Sequence, residues 1–164
     1  MMNMTRPIPN EVIDWTILNE IIQMDEDDSE FSRNLILQYI DQANTTFAEI
    51  EEELNHGQDL KKLNELGHFL KGSSASLGLQ RIAWVCERIQ DISQKSEDSF
   101  PDENVLLGKL PKGVNKKDIV FQPAKMKLDH SNVYLEADLR ALNHARVEFQ
   151  LAKMELSKYY KTQL

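Results

Sequence analysis

The sequence predicts an all-α protein: an antiparallel four-helix bundle with an additional short N-terminal helix and a long crossover loop before the last helix. Near the C-terminal end, apolar residues spaced by seven form the seam of a bundle helix: Leu135, Leu142, Phe149 and Leu156. In the middle of the chain, leucines fall on one side of another helix when each residue advances by about 100°: Leu63, Leu66, Leu70 and Leu77. A helix that is apolar on one side packs that side against its neighbours, so both patterns indicate a bundle.

Length and charge limit the classes of protein that this chain can represent. Its 164 residues predict a single domain over residues 1–164. The net charge of -8 argues against nucleic-acid binding, which needs clustered Lys and Arg. The single cysteine, Cys86, excludes an intrachain disulfide and fits a reducing compartment. No apolar run approaches the ~20 residues of a membrane span, and the N-terminus lacks the apolar core of a signal peptide. We therefore expect no membrane contact and a location inside the cell.

The N-terminal part of the chain predicts an extended arm over residues 1–10 and a short helix over residues 11–24. Apolar residues form two stripes on this helix, on opposite sides: Ile13, Ile17, Ile21 and Met24, and then Trp15, Leu18 and Ile22. A terminal helix buries only one side well. Either both stripes are partly buried, or one stays exposed as a docking surface. The acidic turn at residues 25–29 is expected to cap the next helix.

Residues 29–94 predict three bundle helices, which are separated by glycine-containing turns: 29–54, 59–77 and 80–94. Because the turn at Gly78 is short, the second and third of these should pack as an antiparallel pair. Cys86 is expected to be a small core residue of the third helix.

The composition changes over residues 95–132, a variable insert in which three prolines interrupt any long helix: Pro101, Pro111 and Pro123. A short helix is expected near residues 103–110. The rest predicts a mobile crossover at the end of the bundle, longer than an ordinary connection. The last bundle helix is expected over residues 133–160.

His68 lies opposite the leucine stripe, so the sequence places its imidazole on the outer face of the helix. Lys71 follows three residues later and Gly72 four residues later, both on the same face. Glycine inside a helix costs about 1 kcal/mol relative to alanine, so Gly72 requires a reason. One interpretation is a solvated histidine beside a solvated lysine. The other is a nucleophile that carries a phosphoryl group. Lys71 would then offset the charge, and Gly72 would leave space for the donor.

Two segments around His68 carry a resemblance to a known family. Residues 67–75 (GHFLKGSSA) and 77–90 (LGLQRIAWVCERIQ) resemble the histidine-containing phosphotransfer (HPt) family. The resemblance implies that His68 is phosphorylated and that four further residues serve it: Lys71, Gly72, Ser73 and Gln90. It also implies a surface that binds receiver domains: Ile17, Ile21, Met24, Phe31 and Leu35. The insert departs from the family pattern.

Gln90 falls near the level of His68 if the two helices pack in register, and its amide would then orient the ring. The alternative for Gln90 is an ordinary surface glutamine. His130 and His144 lack the spaced partners of a metal site and are expected to be structural or incidental. No metal site and no cofactor of the chain's own is therefore expected.

The resemblance implies a phosphorelay intermediate of osmosensing, monomeric, in the cytoplasm and nucleus. Such a protein accepts a phosphoryl group on His68 from the aspartyl phosphate of a receiver domain in a hybrid sensor histidine kinase. It then passes the group to the aspartate of a response regulator, whose receiver domain supplies Mg²⁺. The chain contains no glycine-rich phosphate loop, so we expect a phosphocarrier and no kinase activity. Two alternatives remain: a helical adaptor that binds receivers without chemistry, and a ligand- or metal-binding bundle. The second is disfavoured because no inward Glu-x-x-His motif is present.

Overall fold

The computed structural model describes residues 6–124 and 131–164. These residues form six α-helices and contain no strand: α1 Trp15–Ile22, α2 Phe31–Glu52, α3 Leu60–Ser76, α4 Gln80–Ser93, α5 Glu103–Leu107 and α6 Val133–Tyr160. Two 3₁₀ turns and one π turn extend or connect them: Gln23–Glu26, Lys116–Asp118 and Glu53–Gly57. The all-α prediction is confirmed, and α6 has the predicted bounds.

Side-chain contacts between α2 and α6 show that these two helices run antiparallel. Ser32, near the start of α2, shares a hydrogen bond of 2.6 Å with the hydroxyl of Tyr160 at the end of α6. Glu51, near the end of α2, accepts a bond of 2.7 Å from Arg146, which lies well before the end of α6. The short turns after α2 and α3 make the remaining neighbours antiparallel as well. Helices α2, α3, α4 and α6 thus form the predicted four-helix bundle.

Side chains at the helix starts explain the observed boundaries of α1 and α2. Asp14 caps α1 by accepting from the backbone N–H of Thr16 at 3.0 Å, so the helix begins later than predicted. Asp25, in the acidic turn, accepts from both the backbone N–H and the hydroxyl of Ser32, at 2.8 and 2.6 Å. These bonds satisfy a free donor of the first turn of α2. The predicted capping role of the acidic turn is therefore confirmed for Asp25.

Residues 6–13, which comprise the described part of the predicted arm and three residues that were predicted to be helical, form an extended N-terminal arm along α4. Its apolar side chains are buried in the core: Ile8, Val12 and Ile13. Three side chains of α4 donate hydrogen bonds to carbonyl oxygens of the arm: Trp84 to Arg6 at 2.6 Å, Arg81 to Pro9 at 2.7 Å and Gln80 to Glu11 at 2.9 Å. These contacts make the arm part of the bundle.

The insert, which the sequence predicts to be a mobile crossover at the bundle end, packs along α4 and α6 over residues 95–124. Its buried side chains include Phe100, whose ring lies 6.1 Å from Trp84 and 6.2 Å from His144. Side chains of α6 bind its backbone. The N–H of Val120 donates to Gln150 at 2.9 Å, and the N–H of Ala124 donates to Asn143 at 2.8 Å. The predicted position at the bundle end is wrong for this part, because amide side chains of α6 bind its backbone. The mobility of the segment stays a prediction. His130 lies outside the described residues.

A buried ionic network holds α4 and α6 together. Arg81 donates to both carboxylate oxygens of Glu148, at 2.6 and 2.9 Å, and His144 contacts the same carboxylate at 2.7 Å. Arg81 also donates to the carbonyl oxygens of Pro9 and Lys109. Burial alone would raise the pKa of Glu148, but the hydrogen bonds from His144 and Arg81 outweigh it, so the pKa is lowered. The expectation that His144 is structural agrees with this position.

Candidate functional site

His68 lies on the outer face of α3 with its side chain exposed to solvent. On the opposite side of the helix, Leu63, Leu70 and Leu77 are buried, and Leu66 is half-buried. The predicted orientation of the helix is therefore confirmed. The imidazole is accessible to a partner that approaches from solvent.

Gly67, the residue before His68, lets α3 and α4 approach each other closely. A Cβ atom at this position would lie 3.0 Å from Cγ2 of Ile89 and 3.3 Å from two backbone atoms of α4, the carbonyl oxygen of Cys86 and the nitrogen of Gln90. Cys86 is itself a core residue, as predicted, and burial raises the pKa of its thiol to about 12. Sequence reasoning considered only Gly72 and missed Gly67. The available signal was a second helical glycine on the buried side.

Three polar pairs cross the α3–α4 contact beside Gly67. Residue numbers increase along α3 and decrease along α4 from one pair to the next. We call these pairs the polar ladder: Asn64–Gln94 at 3.1 Å, His68–Gln90 at 3.2 Å and Lys71–Glu87 at 3.6 Å. The antiparallel register of the two helices puts each pair one turn from the next. The structure therefore places Gln90 beside the ring, at the level that the sequence predicts.

The amide of Gln90 contacts Nδ1 of His68. In the orientation shown, the amide nitrogen faces Nδ1, while Oε1 is buried and has no hydrogen-bond partner among the described residues. Turning the amide over would place its oxygen on Nδ1, which would then carry the proton and leave a lone pair on Nε2. Both arrangements engage Nδ1. Nε2 is therefore the ring nitrogen that remains available for chemistry.

Lys71, Gly72 and Ser73 follow His68 on the same helix and have different surroundings. Lys71 is half-exposed and forms an ion pair with Glu87. No atom lies within 4 Å of a Cβ built at Gly72, so nothing in the described structure requires glycine there. The hydroxyl of Ser73 donates to the carbonyl oxygen of Phe69 in its own helix at 2.8 Å.

Apolar side chains of α1, the adjoining turn and α2 form a partly exposed surface. Ile17 is 38% exposed and Met24 is 54% exposed, whereas Leu18 on the other side of α1 is fully buried. The other three residues of the predicted surface are half-buried: Ile21, Phe31 and Leu35. The predicted stripe is thus partly open at Ile17, Ile21 and Met24, but its first residue, Ile13, precedes α1 and is buried. Phe69, beside His68, is also exposed and was missed by sequence reasoning.

A hollow of about 230 Å³ lies between this apolar surface and α3. Side chains of α1, α2 and α3 line it: Ile21, Leu35, Gln38, Tyr39, Gln42, Ser73, Ser76 and Leu77. Ser73 therefore faces the region between His68 and the apolar surface. The hollow connects the two parts of the site across three helices.

The described residues contain no group of three or more His, Cys, Asp or Glu side chains that could hold a metal ion. Among the same residues, no helix combines the length and apolar character needed to cross a membrane. The site consists of an accessible histidine on a helical bundle, with a partly exposed apolar surface on neighbouring helices. This arrangement is that of a protein that carries a group on histidine and exchanges it with a docked partner.

Comparison with known proteins identifies the family. Residues 34–116 match the model of the Hpt domain. The chain is 52% identical over 164 residues to the phosphorelay intermediate protein YPD1 of Saccharomyces cerevisiae, covering 96% of this chain and 98% of the yeast protein. A crystal structure of yeast YPD1 superposes with a TM-score of 0.88 at 51% identity, covering 96% of this chain and 100% of that one. This chain belongs to the HPt family, as the residues around His68 indicate.

A further solved structure contains a partner. It is the co-crystal structure of Saccharomyces cerevisiae Ypd1 with the receiver domain of its downstream response regulator Ssk1. The Ypd1 chain matches with a TM-score of 0.83 and 54% identity, covering 96% of this chain and 100% of that one.

Proposed function

We propose that this chain is a phosphorelay intermediate that carries a phosphoryl group on His68. The group comes from the aspartyl phosphate of one receiver domain and passes to the aspartate of a response regulator. The observation that carries the proposal is the ring of His68, exposed to solvent and held at Nδ1 by Gln90. Family membership and the receiver complex of the yeast relative support it.

The proposed transfer step uses Nε2, the ring nitrogen that Gln90 does not contact. The lone pair on Nε2 attacks phosphorus, the bond between phosphorus and the aspartyl oxygen breaks, and its electron pair stays on the carboxylate. With the amide of Gln90 turned over, the ring proton remains on Nδ1 and is donated to the amide oxygen of Gln90. Onward transfer reverses these events with a second aspartate. Such reactions depend mainly on positioning and charge stabilisation.

Neighbouring residues of α3 assist the same step. Lys71, three residues after His68, offsets the negative charge of the phosphoryl group. Gly72 leaves the approach to the ring open, which agrees with the free space around its Cβ position. The receiver domain supplies the aspartate and Mg²⁺, so the chain needs no cofactor of its own. It acts as a phosphocarrier without autonomous kinase activity.

The receiver docks on the apolar surface formed by five residues of α1, the adjoining turn and α2: Ile17, Ile21, Met24, Phe31 and Leu35. Their exposure beside the hollow that Ser73 lines supports this assignment. The upstream donor is the receiver domain of a hybrid sensor kinase. The chain works as a monomeric single domain in the cytoplasm and nucleus, in a relay that serves osmosensing.

Transfer from a radiolabelled receiver domain tests the proposal. The Ssk1 receiver domain of Saccharomyces cerevisiae is a suitable probe, because the yeast relative forms a complex with it. Wild-type protein should acquire an acid-labile label, and His68→Gln should acquire none. His56→Gln is the matched control, because His56 is also exposed to solvent but lies in the π turn after α2, and it should be labelled normally. Label on His68→Gln would refute the site. Normal receiver binding without any label on the wild type would favour the adaptor instead.

A further inference from the structure

Glu87 is held between two cations beside the phosphotransfer site. Its Oε2 lies 3.6 Å from Nζ of Lys71, and its Oε1 accepts from Arg88 at 3.0 Å. Arg88 is itself fixed: it is buried, lies 5.5 Å over the ring of Trp84 and donates to Asp91 at 2.9 Å. The carboxylate of Glu87 therefore has a defined position, although it is half-exposed.

In the polar ladder, the pair that contains Glu87 is next to the pair that contains His68. Lys71 lies about one turn after His68 on α3, and Glu87 lies about one turn before Gln90 on α4. One turn corresponds to about 5 Å along the helix axis. Lys71 thus lies about one turn from His68 along α3, and its ammonium interacts with Glu87 before any phosphoryl group arrives.

Phosphorylation of His68 would add about 1.5 to 2 negative charges at neutral pH. Lys71 would then face two anions, the phosphoryl group and Glu87, and would divide its interaction between them. Glu87 consequently weakens the stabilisation that Lys71 gives to the phosphorylated state. A carrier benefits from this, because a group that is held too tightly on histidine is not passed on.

We infer that Glu87 competes with the phosphoryl group for Lys71 and so lowers the share of phosphate that rests on His68. Glu87 is a positioning residue, because it acts through Lys71 and does not touch the reacting atoms. The inference rests on the proposed phosphotransfer at His68. It adds the element that sets the balance between keeping and releasing the group.

The test measures the ratio of label on this chain to label on the Ssk1 receiver domain, after that ratio has become constant with time. Glu87→Gln keeps the shape of the side chain and removes its charge. The label should shift toward His68 by roughly three-fold, the size expected for one unit charge acting over about 7 Å in a water-like dielectric. The shift should diminish at high salt, which screens such interactions.

Two further variants separate this mechanism from a structural effect. Asp91→Asn loses a contact to the same Arg88 but leaves the Lys71–Glu87 pair intact, so it should keep the wild-type ratio. In a Lys71→Met background, the Glu87→Gln change should no longer shift the ratio. Thermal melting of each variant confirms that it is folded.

Failure of the inference and failure of the proposed function give different outcomes. Absence of label on wild-type protein would overturn the proposed function itself. Normal labelling with an unchanged ratio in Glu87→Gln would overturn only the inference. An equal shift in the presence and absence of Lys71 would also overturn it, because Glu87 would then not act through the lysine.

Discussion

The carbonyl oxygen of Gly78 accepts a hydrogen bond of 2.7 Å from the backbone N–H of Asp14. This bond fastens the start of α1 to the turn that follows α3. Because α1 carries Ile17 and α3 carries His68, one turn positions both the apolar surface and the histidine. Gly78 has a φ of +80°, and a Cβ atom there would lie 2.6 Å from the carbonyl oxygen of Asp14.

Gly78→Ala should therefore destabilise the fold and also weaken receiver binding. The left-handed backbone alone costs an L residue about 1–2 kcal/mol, and contact with Asp14 adds to this. Gly113→Ala is the matched control, since Gly113 has a φ of +88° but open space around its Cβ position. Denaturant unfolding should show a larger loss for Gly78→Ala. Equal losses for the two variants would show that contact with Asp14 is unimportant.

Gly72→Gln should block phosphotransfer while it stabilises α3. Glutamine is a better helix former than glycine by very roughly half a kcal/mol or more, and nothing in the described structure opposes the side chain. Gly67→Ala should instead lower the free energy of unfolding by about 1 kcal/mol, because the cost of overpacking against α4 exceeds the gain in helix propensity. Thermal melting and transfer assays on both variants provide the check. Normal transfer by Gly72→Gln would contradict the need for open space beside His68.

Ile17→Ala should weaken receiver binding, whereas Leu18→Ala, at the adjacent residue of α1, should lower stability. Truncation of an exposed apolar anchor typically costs about 1 kcal/mol or more of binding, so Ile17→Ala should weaken receiver affinity about tenfold and melt normally. Leu18 is fully buried, and its truncation should cost about 2–5 kcal/mol of stability. Receiver titration and melting are measured on the same samples. A collapse in the melting temperature of Ile17→Ala with normal binding would place this residue in the core.

Asp138→Asn should stabilise the protein at neutral pH and have little effect in acid. Burial raises the pKa of Asp138 well above its usual 3.8, although the hydroxyl of Ser93 donates to it at 2.7 Å. The folded state therefore binds this proton more tightly than the unfolded chain, and ionisation lowers stability as pH rises above about 4. Asparagine keeps the polar group and removes the charge. Unfolding free energies measured from pH 3 upward test this, and a pH-independent difference would contradict it.

Glu148→Gln should show the opposite sign of pH dependence. Hydrogen bonds from His144 and Arg81 lower the pKa of Glu148 below 4.5, so its charge contributes stability above that pH, and the contribution is lost as pH falls through the folded-state pKa. Replacement leaves Arg81 buried without its counter-ion, which costs about 3–5 kcal/mol. The loss should be largest at neutral pH and smaller in acid. If the Glu148→Gln variant were as stable as the wild-type protein at pH 7, the ion pair would contribute nothing to stability.

Features that depend on local periodicity were predictable from the sequence. The bounds of α6 and the outward direction of His68 follow from apolar spacing within one helix, and the position of Gln90 follows from one short turn. Features that depend on contacts between distant residues were not predictable. The close fit of Gly67 against Ile89 and the pairing of Lys71 with Glu87 require the exact rotation of two helices. The packing of the insert through Gln150 likewise depends on a contact 30 residues away.

The guanidinium of Arg81 in α4 binds three segments that are far from it in sequence. It binds the arm at Pro9, the insert at Lys109 and α6 at Glu148, while it belongs to α4 itself. Release of the arm or the insert alone would leave donors of a buried cation unsatisfied, which is costly in a buried site. Local opening of either segment is therefore expensive compared with ordinary fraying of chain ends. Amide protons near Pro9 and Lys109 should exchange with solvent at rates set by unfolding of the whole bundle.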